Sequence, residues 1–97
     1  MRILTVAAIA LLLPAAALAS TQAETRITHG FMHLGMAHKK AVCYGGTIGG
    51  NLDQQQATQA ASIVESASSG KQVRENVLKS GKDMVDAFTA AERHCGR

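Results

Sequence analysis

Apolar residues recur at three- and four-residue spacing along most of the chain, and no alternation of four or more residues marks a strand after the N-terminal apolar run. Ile27, Phe31, Leu34, His38, Ala41 and Val42 make one stripe, which predicts a first helix from about Thr25 to Val42. Thr21-Gln-Ala-Glu24 ahead of it has the form of a capping box. Gly30 and Gly35 interrupt the stripe, each at a cost of ~1 kcal/mol. A second helix is expected from Leu52 to Ala67, with Asn51 as its cap and a thin apolar face of Leu52, Ala60, Ile63, Val64 and Ala67. Ser68-Ser-Gly70 separates it from a third, opened by the capping-box form Ser69-Gly-Lys-Gln72. Val73, Val77, Leu78, Met84, Val85, Phe88, Ala91 and Cys95 hold that helix's face to the end of the chain. Its opposite side carries Glu75/Lys79, Lys79/Asp83 and Lys82/Asp86 at i,i+4, the pattern of a solvated surface.

Three helices joined by short breaks predict an all-α, up-down-up bundle. Helices one and three then run parallel, and their C-terminal ends bring Cys43 and Cys95 to the same end of the molecule. On an unbroken first helix, however, Cys43 sits about 150° from the Ile27/Phe31/Leu34 stripe. The expectation is that the helix ends just before it, at the glycines that follow.

Composition changes this picture at the N-terminus. Of 97 residues 46% are apolar, but sixteen of the 45 lie within the first nineteen. Met1-Arg2, the run from Ile3 to Leu13, Pro14, and small residues at Ala17 and Ala19 follow the order of a secretory signal peptide. The run is shorter than the ~20 residues of a membrane span. Residues 1–19 are therefore expected to be a cleaved signal, cut before Ser20 or after Ala23, and 20–97 a single small domain. That domain has nine Lys and Arg against seven Asp and Glu. Its mild, dispersed charge and the export signal argue against a nucleic-acid partner. A periplasmic or extracellular location is oxidising, so a Cys43–Cys95 disulfide is expected. Closing so long a loop removes ~4 kcal/mol of unfolded-state entropy in the loop-closure account, a large share for a small core.

The sharpest chemical pattern is His29-Gly-Phe-Met32-His33-Leu-Gly-Met36. On a helix His29, Met32, His33 and Met36 fall within about 100° of one another, and thioether with imidazole is a soft ligand set suited to copper(I) or silver(I). The spacing resembles that of periplasmic silver- and copper-binding proteins over these eight residues. Phe31, Met32 and Met36 equally compose an adaptable surface for a protein partner. His38, on the core stripe, is expected to be partly buried and is a candidate pH-sensitive group. Gly45-Gly-Thr-Ile-Gly-Gly50 lacks the Lys-Ser/Thr of a phosphate loop. It reads as an interhelical turn or as close packing through small residues at i,i+4. Cys43-Tyr-Gly45 followed by Gly49 is similar to a motif of small exported immunity proteins that neutralise secreted cell-wall amidases, with Gly46 where those motifs place an aromatic residue.

Catalytic motifs are scarce. The seven acids form no apolar-flanked pair, a bridged Cys43 is no nucleophile, and no zinc or haem spacing occurs. The sequence therefore predicts a small exported, non-enzymatic protein that binds another exported or envelope protein in an inhibitor-, immunity- or chaperone-like role. Soft-metal binding is the alternative.

Overall fold

The structure, a computed structural model, describes residues 14–96. They form five helices and no strand: α1 Pro14–His33, α2 His38–Gly50, α3 Gln54–Ser66, α4 Gly70–Leu78 and α5 Lys82–Cys95. The helical class expected from the periodicity holds, whereas the count of three does not. The second expected helix is α3 at nearly its full length. The first and third expected helices are each broken, and a glycine with positive φ stands at each break.

At the first break the backbone reverses. Gly35 has φ of 99°, a value L-residues rarely adopt. Its N–H donates to the Met32 carbonyl at 3.0 Å, and the Met36 N–H donates to the Phe31 carbonyl at 3.0 Å. These two bonds are those of a Schellman motif, with glycine at C′ and a hydrophobic residue following it. The helix thus ends at His33, and α2 starts afresh at His38. At the second break Gly81 has φ of 100° and ψ of 174°, a region open essentially to glycine alone. The stripe hid this interruption because Val73, Val77, Met84, Phe88 and Ala91 keep one helical register across it, and all five are buried.

The N-terminus also differs from expectation. Thr21 and Glu24 lie well inside α1, which extends from Pro14, so the expected capping box there is not a helix start. The apolar run of the expected export signal falls largely on residues 1–13, which lie outside the described residues. The expected junction at Ala19 falls within α1. Further along, Asp53 rather than Asn51 caps α3, in a full capping box with Gln56. Ser69 caps α4 as its sequence predicts, accepting from the Gln72 N–H at 3.2 Å.

With few large side chains available, close approach supplies the packing. α1 lies against both α2 and α3. Gly45 and Gly49 face α1 from α2, and a Cβ built at Gly45 would stand 2.7 Å from the Glu24 carbonyl oxygen and against the Thr28 hydroxyl. That hydroxyl already donates to the same carbonyl at 2.9 Å. Of the two readings of the glycine stretch, close packing is the one the structure adopts, and the segment is helical throughout. Gly30 meets α3 in the same way, its missing Cβ 2.6 Å from Val64 Cγ1. The core between these helices is Ile27, Phe31, Ala41, Tyr44, Ile48, Ala60, Ala61 and Val64. At the surface, Arg26 reaches from α1 to Glu65 on α3 through a paired contact, Nε to Oε2 being 3.1 Å. Hydrogen bonding to Arg26 lowers the Glu65 pKa. The pair's contribution is therefore fully present above the ordinary carboxylate pKa and is lost as pH falls from there through the lowered value of Glu65, and as a half-exposed pair it is worth below ~1 kcal/mol.

Cys43 and Cys95 form the expected disulfide, Cα atoms 5.8 Å apart, but not between two helix ends. Cys43 sits in the middle of α2 and Cys95 is the last residue of α5. The break at Gly35 resolves the angular conflict, because α2 has its own buried face of Ala41, Tyr44 and Ile48. Beside that face Cys43 meets α5.

Two outcomes follow from this packing. Gly45→Ala should lower the unfolding free energy by ~1–3 kcal/mol, because backbone faces the new methyl. Gly46→Ala, at an exposed helical position with nothing within 4 Å, should raise it by up to ~1 kcal/mol. Paired urea titrations of the two variants check the opposite signs. Reducing the disulfide, which spans 52 residues, should cost ~2–4 kcal/mol, seen as an earlier urea midpoint in reductant.

Candidate functional site

The turn at Gly35 does more than reverse the chain. Phe31 precedes it and Met36 follows it, the C3 and C″ positions whose side chains commonly meet in a Schellman motif. Both line one open groove of about 500 Å³, with Tyr44 from α2, Val73, Val77 and Leu78 from α4, and Val85 and Phe88 from α5. Arg74, Thr89 and Glu92 add polar groups of both charges. The volume lies within the ~300–1,000 Å³ typical of ligand clefts.

Aromatic packing builds the floor. The Phe31 ring meets Tyr44 edge-on at 5.1 Å between centroids and Phe88 at 6.3 Å, geometries favoured by the ring quadrupoles. The Tyr44 hydroxyl donates to the Gly96 carbonyl at 2.8 Å, which fastens the end of α5 to α2 near the disulfide. Lys40 lies 5.9 Å above the Tyr44 ring. Above this floor, the edge is exposed: Leu78, the last residue of α4, is 64% accessible.

The expected partner surface of Phe31, Met32 and Met36 is therefore divided. Phe31 is buried in the floor and Met36 is half-buried in the groove wall. Met32 is exposed and does not line the groove. The expected ligand set is divided at the same place. His29, Met32 and His33 remain on α1, all exposed, whereas Met36 lies beyond the helix end and packs against the core. The i,i+7 relation that put Met36 on their face does not exist. His38 departs most from expectation. It is the exposed first residue of α2 rather than part of a buried stripe, and its Nδ1 lies 3.4 Å from Met32 Sδ.

Sequence reasoning missed Tyr44, Val73, Val77, Leu78 and Val85 as parts of one groove. One signal was present in the chain: Gly35 followed by Met36, after a helical run ending at His33, is the Schellman pattern. Leu78, expected on the apolar face of that helix, is instead exposed, because it stands about 100° from the buried Val77.

Floor and edge separate by mutation. Phe88→Ala should destabilise the fold by ~3–5 kcal/mol, while Leu78→Ala should change stability by less than ~0.5 kcal/mol. Thermal and urea unfolding of both variants checks that Leu78 is dispensable to the fold. No family model, curated protein or solved structure matches this chain.

Proposed function

We propose that this chain is a small exported protein without enzymatic activity of its own that acts by binding another protein, in an inhibitor-, immunity- or chaperone-like role. The observation that carries the reading is the apolar groove between α4, α5 and the Gly35 turn, with the exposed Leu78 at its edge. Its occupant is one or two large apolar side chains of the partner, flanked by polar groups that meet Arg74 and Glu92. Methionine in the wall suits such a role, since Met36 repacks easily around different shapes.

Other features fit this reading. Several acids are occupied structurally: Asp53 caps α3, Glu65 pairs with Arg26, Asp83 accepts from Gln56, and Asp86 pairs with Lys82. A disulfide between α2 and α5 suits the periplasm or the cell exterior. No described helix is long and apolar enough to cross a membrane. Signal removal before Ser20 keeps Ala23, which is buried, and is favoured over a cut after it.

A photoreactive residue at position 78 tests the proposal, with one at Thr58 on α3 as the control. In envelope extract, position 78 should cross-link to one partner protein and position 58 should not. Cross-linking should disappear when Val85→Glu, at a half-buried wall position, is added to a chain whose helicity is unchanged. Equal labelling from both positions, or none from either, would count against the groove.

A further inference from the structure

The Gly35 turn brings together two soft donors that the sequence places six residues apart on either side of it. Met32 Sδ, in the last turn of α1, and His38 Nδ1, at the start of α2, are 3.4 Å apart. Both residues are exposed, Met32 at 38%. Donors at this separation are near enough to reach one shared ion. Little rearrangement is then needed for an ion to replace the weak nitrogen–sulfur contact. His29 stands three residues before Met32, on neighbouring turns of one helix face, and is exposed as well.

We propose that Met32 and His38, with His29 as the third donor, form a binding site for a soft monovalent cation, copper(I) or silver(I). Thioether and imidazole are the ligand types that select such ions. The two cysteines are bonded to each other, so no thiolate competes for the ion in the oxidised protein. The site differs from the one an unbroken helix would build: Met36 leaves the ligand set, and His38 enters it. It is also separate from the apolar groove, which Met36 lines and Met32 does not. Because its ligands come from α1 and α2, an ion held there links both sides of the Gly35 turn. Binding to the folded state alone then raises stability by mass action.

The test uses the disulfide-intact protein, silver(I) nitrate as probe, and methionines carrying a ¹³C methyl label. One equivalent of silver(I) should shift the Met32 methyl resonance and leave those of Met36 and Met84 in place. Amide exchange at Gly35 and Met36 should slow. Affinity should fall at least tenfold in Met32→Leu and in His38→Ala, fall several-fold in His29→Ala, and stay unchanged in Met36→Leu and His33→Ala. All five substitutions lie at exposed or half-buried positions, and circular dichroism verifies that each variant keeps its helices. Absence of binding below millimolar silver(I) would overturn the site. So would binding that survives His38→Ala but is lost in Met36→Leu, since that result belongs to the unbroken helix. Binding unaffected by His29→Ala would remove the third donor.

Discussion

At Gly35 the backbone takes a positive φ of 99° and two carbonyls at the end of α1 are satisfied by the turn itself. A residue with a Cβ pays a steric penalty in this conformation. The consequences reach most of the molecule. The reversal lays α2 back along α1, where Gly45 and Gly49 approach it closely. It gives α2 a helical phase of its own, so that Ala41, Tyr44 and Ile48 turn inward while Cys43 meets Cys95. It sets Phe31 and Met36 on one wall of the groove and Met32 beside His38. Without it, a single long helix would hold these side chains at angles that build neither arrangement.

Close packing and the disulfide complement one another. Among the described residues the buried set contains eight alanines against three aromatics, and alanine brings little area per residue to a core. Helices joined through alanine and glycine compensate by approaching until backbone meets backbone, which preserves dispersion contacts that a gap would forfeit. This arrangement tolerates little added volume at Gly45 or Gly30. Farther from α1 the packing is looser, and the short α4 leaves an open apolar groove beside α5. There the covalent link and the Tyr44 bond to Gly96 hold α5 against α2. The packed aromatic floor thus stands beside an edge that Leu78 leaves accessible.

The groove and the His/Met pair lie on residues that alternate through one turn. Phe31 and Met36 point into apolar surroundings, while Met32 and His38 remain at the surface. A sequence pattern that looked like one cluster is thus divided between an apolar groove and an exposed His/Met pair. The division follows from the Schellman geometry, which carries residues before and after the glycine to new angles instead of continuing the 100° step of a helix.

Much was legible from residue order alone. Apolar spacing of three and four specified helices, because only a helix turns that spacing into one face. Ser69 and Gln72 marked the start of α4, and two cysteines in a lean chain marked a covalent link. Local rules also contained the helix breaks, at Gly35 and Gly81, but an uninterrupted apolar register across Val77 and Met84 concealed one of them. Residue order left the glycines of 45–50 open between a turn and an interface, since their conformation depends on whether Glu24 and Thr28 stand opposite. The groove and the contact of Met32 with His38 belong to tertiary structure for the same reason. They join side chains whose separation depends on a backbone reversal and on helices meeting in space, and periodicity along a chain carries no information about distances between elements.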